Sequence, residues 1–77
     1  MDRVNKPIHY QGTIEAIDAI ESSMPLQQQM GYLKGNVMKY IIRWDRKNGL
    51  EDLKKAQWYL NRMIDKQEKH ENQKRTI

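Results

Sequence analysis

Cysteine is absent from the 77 residues, which excludes disulfides, thiolate zinc sites and cysteine nucleophiles. Phenylalanine is absent as well, and the hydrophobic set reaches only 38%, below the usual share of a globular domain. The two prolines and four glycines form no GxxxxGK(S/T) or GxGxxG run of the kind that cradles phosphates in P-loop and Rossmann proteins. No apolar stretch approaches the roughly 20 residues that a membrane span needs. The opening residues, Met1-Asp2-Arg3-Val4-Asn5-Lys6, lack the apolar centre of a signal peptide, so the expected address is cytoplasmic, with no membrane partner. A chain this short buries only about 60% of its unfolded surface, so one thin domain is the most it is expected to form.

Charge, by contrast, is plentiful. Charged residues make up 31% of the chain, with 14 basic against 10 acidic side chains and a net charge of +4. Leu, Ile and Met still recur regularly, so the composition is not that of a disordered chain. A basic balance favours anionic partners without choosing among nucleotides, nucleic acid and an acidic protein.

The pattern predicts an all-α fold: a small three-helix domain over residues 1–64 with an extended N-terminal arm over residues 1–12. Pro7 pushes Lys6 toward extended conformations and marks that arm. Ile14, Ile17 and Ile20 then recur every third residue, a short helix with Thr13 as its N-cap and Glu15 and Asp18 near its positive end. Ser22-Ser23-Met24-Pro25 stops it, and Pro25 is expected as the first residue of the second helix. Leu26, Met30, Leu33, Val37, Tyr40/Ile41 and Trp44 step by three and four along that helix. Gly31 and Gly35 interrupt it at a cost of roughly 1 kcal/mol each, which leaves open whether the helix begins at Leu26 or only near Gly35. If they lie within it, close helix packing or a ligand near the backbone is expected to offset that cost.

Asp45-Arg46-Lys47-Asn48-Gly49 is a loop, and Asn48 with Glu51 has the form of a capping box at the start of the third helix. Leu50, Leu53, Ala56/Gln57, Leu60 and Met63/Ile64 supply that helix with an apolar stripe, and residues 65–77 form a charged extension or frayed tail. Leu50 to about Glu71 would reach roughly 33 Å at 1.5 Å per residue. A compact chain of this size has a radius of gyration of only about 11–12 Å, so the helix should span or overhang a single copy. Its narrow stripes leave apolar surface uncovered, and a homo-oligomer built on the second and third helices is expected. The alternative is a monomer with a disordered tail.

Candidate binding residues fall into three groups. Asn36, Lys39, Arg43 and Lys47, spaced by three, four and four, share a face of the second helix and the loop after it. Arg grips phosphate bidentately, Lys supplies a point charge and Asn hydrogen-bonds a base or ribose. The plainer alternative, a solvated basic face, is favoured on spacing alone. On the third helix, Asp52, Lys55, Tyr59 and Arg62 form a second flank, in which Asp52 and Lys55 are expected to pair at the surface. Tyr59 fits either a core edge or a stacking platform. The arm, Val4-Asn5-Lys6-Pro7-Ile8-His9-Tyr10, combines an amide, a kink, an imidazole and a phenol. His9 suits a phosphate donor or a general base and Tyr10 suits base stacking, although docking the arm onto the helices would use the same residues. His70 is assigned no role. His9 and His70 are the only histidines, and no HxxxH or EF-hand spacing accompanies them, so neither a metal nor a cofactor is expected. Glu51-Asp52 would hold Mg²⁺ only if a kinase chemistry applied.

Val4-Asn5-x-Pro7-x-His9-Tyr10, Gly35-Asn36-x-x-Lys39-Tyr40-Ile41-x-Arg43 and Glu51-Asp52-Leu53-x-Lys55-Ala56-x-x-Tyr59-Leu60, in that order, resemble a short phage family of unknown function often called nucleotide kinase. The resemblance covers residues 3 to 64, and departs at Lys6, where a histidine is expected, and in the loop Trp44–Gly49, usually richer in glycine. It implies a phage protein acting in an infected bacterium with nucleotides as ligands. The kinase label belongs to a larger phage protein containing a similar region, and a 77-residue copy is expected to bind without turnover. Small oligomeric phage proteins that sequester nucleotide immune signals fit this description. In that reading Arg43, Lys39 and Lys47 grip phosphates, Asn36 and His9 hydrogen-bond ribose or base, and Tyr10 or Tyr59 stacks. Asn5 and Lys55 complete the expected set, in pockets between subunits. One alternative is a nucleoside-monophosphate kinase using Mg²⁺ and Asp52. The other is an inhibitor of nucleic acid or a host protein, with nucleic acid disfavoured because basic and aromatic residues are not interleaved.

Overall fold

The computed structural model describes the backbone of residues 11–75 and the side chains of residues 16–74. Among the described residues all regular structure is helical: α1 (Gln11–Ser22), α2 (Leu26–Arg43), a 3-10 turn (Trp44–Arg46) and α3 (Leu50–Arg75). The expected all-α, three-helix architecture is present.

Several boundaries differ from expectation, each for a local reason. α1 begins at Gln11, so residues 11 and 12 belong to the helix rather than to an arm and Thr13 lies inside it, not at its cap. Asp18 is likewise beyond the first turn, which holds no acid. Pro25 is the N-cap of α2 rather than its first residue, with φ −70° and ψ 164°. Its carbonyl accepts the N–H groups of Gln28 and Gln29 at 3.0 Å each. α2 runs unbroken from Leu26 through both glycines, and a methyl group added at Gly31 or Gly35 would meet nothing within 4 Å. No close helix contact among the described residues accounts for those two positions.

At the next junction Gly49 takes φ 59°, a left-handed conformation that favours glycine, and donates its N–H to the Trp44 carbonyl at 2.8 Å. The expected capping box is corrected by one residue. Asp52, not Glu51, reaches back to the Asn48 N–H, at 3.2 Å. Glu51 pairs instead with Lys55 at 3.3 Å, one helical turn on, so the anticipated Asp52–Lys55 surface pair is replaced.

α2 and α3 form an antiparallel hairpin, with Tyr40 opposite Tyr59 and Arg43 opposite Asp52. Among the described residues the buried apolar ones are Leu33 from α2, Ala56 from α3 and Ile17 from α1. Leu50, Leu60 and Ile64, expected on the inward stripe of α3, are instead 65%, 45% and 46% exposed. The inward positions belong to Asp52, Ala56 and Tyr59, three and four residues apart. On α2, Met38, Ile41, Ile42 and Trp44 are exposed as well. α3 carries its 26 residues over roughly 39 Å at 1.5 Å per residue. The molecule accordingly measures 45 × 26 × 21 Å with a radius of gyration of 13.8 Å, and the expected overhang is present.

Candidate functional site

The α2–α3 hairpin brings a cationic cluster onto one tyrosine. Around the Tyr40 ring stand the Lys39 ammonium at 4.7 Å, the Arg43 guanidinium carbon at 4.8 Å and the Lys55 ammonium at 5.5 Å from the centroid. All three distances are within cation–π range. Tyr59 stacks on Tyr40 with ring centroids 6.0 Å apart and planes 14° from parallel, and its other neighbour Trp58 meets it edge-on at 5.0 Å. Two aromatic rings and three cations thus share the α2–α3 flank.

Beneath the cluster lies Asp52, with no exposed surface. Its carboxylate accepts Nε and Nη2 of Arg43 at 3.2 Å each, the backbone N–H of Asn48 at 3.2 Å and the Asn48 amide at 3.3 Å. Burial alone would raise its pKa, but the hydrogen bonds from Arg43 and then Asn48 outweigh this and hold it below the usual aspartate value. The same hydrogen bond raises the pKa of Arg43, against its own desolvation. Asp52 is therefore an ionised carboxylate already committed to Arg43 and Asn48, which does not suit it to hold Mg²⁺.

Of the residues singled out from the sequence, Lys39, Arg43, Lys55 and Tyr59 are brought together here. Asn36 lies one turn before Tyr40, half-buried, and donates its amide to the Tyr32 carbonyl at 3.1 Å. Lys47 is exposed in the turn after the 3-10 segment, outside the ring of cations. Asn5, His9 and Tyr10 lie outside the described residues. Tyr40, the centre of the cluster, belongs by spacing to the apolar stripe of α2 and is absent from the candidate binding residues.

A second ionic assembly ties α1 to α3. Arg62 donates Nε and Nη2 to Glu21 at 2.7 Å each and Nη2 to Asp18 at 2.7 Å. Lys66 adds a contact to Glu21 at 3.0 Å. Glu21 is buried, which would raise its pKa, yet the bonds from Arg62 and Lys66 hold it below the usual glutamate value. Arg62 is correspondingly raised, and it also covers the Trp58 ring at 5.5 Å. Spacing placed Arg62 on the Lys55 and Tyr59 flank but gave no signal for partners on α1. Among the described residues no group of three or more His, Asp or Glu is disposed to hold a metal ion, and no helix is long and apolar enough to cross a membrane.

Residues 4–61 match the model of a family described as a protein of unknown function, DUF3310. The chain is 42% identical over 65 residues to the nucleotide kinase gp1.7 of Escherichia phage T7, a match covering 77% of this chain and 33% of that protein. It is 40% identical over 62 residues to the gene 1.7 protein of Enterobacteria phage T3, covering 73% of this chain and 38% of that one. The matched region spans about a third of the length of these relatives. No solved structure matches the chain. Every residue of the Tyr40 cluster and of its Asp52 support lies within the matched segment, and the chain belongs to the DUF3310 family, with relatives encoded by phages.

Proposed function

We propose that the protein is a non-catalytic nucleotide binder that works as a homo-oligomer and sequesters a nucleotide-type signal of the host. The observation that carries this reading is the convergence of Lys39, Arg43 and Lys55 on the stacked Tyr40–Tyr59 pair. Cations suit phosphate oxygens and aromatic faces suit bases, so one flank offers both halves of nucleotide recognition. The charge balance agrees, because three cations face two carboxylates, Glu51 and Asp52, and one positive charge is left over. The name of the T7 relative, a nucleotide kinase, points to the same ligand class. Assembly is supported by the exposed Met38, Ile41 and Ile42 of α2 and Leu50, Leu60 and Ile64 of α3, apolar area that a second copy would cover.

Calorimetric titration with cyclic dinucleotides, cyclic ADP-ribose isomers and mononucleotides tests the binding. Heat is expected with at least one of them and is expected to be lost in Lys39→Ala; silence across the panel ends the proposal. Light scattering should give a mass at least twice the 9.3 kDa of the chain, and a monomer would remove the oligomeric part.

The kinase reading has the relative's name in its favour. Against it stands Asp52, the acid that reading relies on, buried and fully hydrogen-bonded within the protein. Incubation with ATP, Mg²⁺ and each deoxynucleoside monophosphate separates the two: diphosphate product would replace the non-catalytic reading with an enzyme.

A further inference from the structure

A carboxylate directly under a proposed anion site is electrostatically unfavourable, and Asp52 is such a group. Closing the turn that leads into α3 requires only its bond to the Asn48 N–H. The two-pronged grip on Arg43 goes beyond that need. Arg43 is a long side chain with considerable rotamer entropy, and a bidentate carboxylate removes most of that freedom. The fork engages Nε and Nη2, so Nη1 is the nitrogen that Asp52 leaves unengaged. Its plane is fixed while its carbon stands 4.8 Å from the Tyr40 centroid, beside the ring that Lys39 and Lys55 also approach.

We infer that Asp52 is a positioning residue for anion binding, holding the Arg43 guanidinium against Tyr40 in the orientation that a phosphate oxygen meets. The inference rests on the reading of the Tyr40 cluster as the ligand site. A pre-ordered guanidinium binds without first losing its own freedom, and that gain offsets the repulsion from the carboxylate behind it.

Asp52→Asn separates the two effects because they have opposite signs. It removes a negative charge next to the site, so long-range electrostatics alone would tighten anion binding. It also ends the symmetric fork, since an amide presents one acceptor and one donor group. Positioning therefore predicts weaker binding by a more positive protein. The probe is inorganic pyrophosphate, titrated calorimetrically into the full chain, its Asp52→Asn and Arg43→Lys variants and the double variant. Each is measured below its own melting temperature, with helicity confirmed by circular dichroism.

Each single substitution is expected to weaken binding about tenfold, the equivalent of one charge-assisted hydrogen bond. The double variant should be no weaker than the worse single one, because both remove the same fork. A merely structural Asp52 would lower the melting temperature and leave the affinity of the folded protein unchanged. Equal or tighter binding by Asp52→Asn, or multiplied losses in the double variant, overturns the inference and leaves the site reading intact. Should Asp52→Asn fail to fold, Arg43→Lys decides: it keeps the charge and lacks the fork, and wild-type affinity would overturn the inference. If the unmodified protein ignores pyrophosphate and every nucleotide tested, the site reading and the inference fall together.

Discussion

Arg43 meets Asp52 across the turn between α2 and α3, nine residues away in sequence, whereas Arg62 meets Glu21 and Asp18 on α1, 41 and 44 residues away. The two assemblies use the same chemistry, an arginine fork on a buried carboxylate. Around Arg62 the charges cancel, with Arg62 and Lys66 facing Glu21 and Asp18. That set is closed, and its effect is to hold a short helix against a long one. Around Arg43 the carboxylates Asp52 and Glu51 face three cations grouped on an aromatic ring. The excess positive charge, grouped on the stacked Tyr40–Tyr59 pair, is what sets the Arg43 assembly apart from the charge-balanced clasp around Arg62.

Acid should damage both assemblies and give the largest effect. Asp52 and Glu21 have folded pKa values below their ordinary ones. Their stabilisation is complete above the unfolded carboxylate values near about 4 and is lost as pH falls through the lowered folded values. Thermal melts should therefore hold a constant midpoint from neutrality to about pH 5 and fall steeply below about pH 4; a midpoint still flat well below pH 4 would contradict the paired assignment. Next comes Asp52→Asn, which breaks the buried fork and weakens the hold on the Asn48 turn together and should lower the melting temperature by roughly 10 °C. A shift of a degree or two would mean that the buried fork adds little to the fold.

Arg62→Ala should cost less, about 1–2 kcal/mol after allowance for solvent screening, with the helicity of α1 lost before that of α2 and α3 in residue-resolved hydrogen exchange. Uniform loss across the three helices would show that the Arg62 assembly is no separate clasp. Glu51→Gln breaks only a surface pair one turn apart and should cost about 0.3–0.5 kcal/mol by chemical denaturation. Lys39→Ala should leave the denaturation midpoint unchanged while abolishing nucleotide heat. A destabilised Lys39→Ala would place that lysine in the fold rather than in the site.

Much of the hairpin was legible in the sequence, because its signals are local. The break at Asp45–Gly49 and the run from Leu50 mark the turn and α3, while Gly31 and Gly35 leave the start of α2 open in the sequence and the structure puts it at Leu26. The start of α1 differs from the Thr13 cap by three residues and that of α2 from Pro25 by one, because a helix end depends on the backbone conformation of a single residue. By its position in a first helical turn Asp52 is expected at the surface, where such acids usually face solvent. Its burial follows from standing as far after Lys47-Asn48 as Arg43 stands before it, a symmetry that matters only once the chain folds back. Tyr40 falls in the apolar stripe by spacing, and spacing carries no sign that Lys55 from the other helix reaches the same ring. The partners of Arg62 were invisible for a stronger reason: no helical period connects residues 41 and 44 apart.

Residue-resolved NMR during titration with pyrophosphate, and then with the nucleotide of greatest calorimetric heat, tests the central claim most directly. The account predicts shifts confined to the Lys39–Arg43 and Glu51–Tyr59 segments, with Asp18, Glu21, Arg62 and Lys66 unmoved. Shifts centred on Arg62 and α1, or none at saturating ligand, would contradict it.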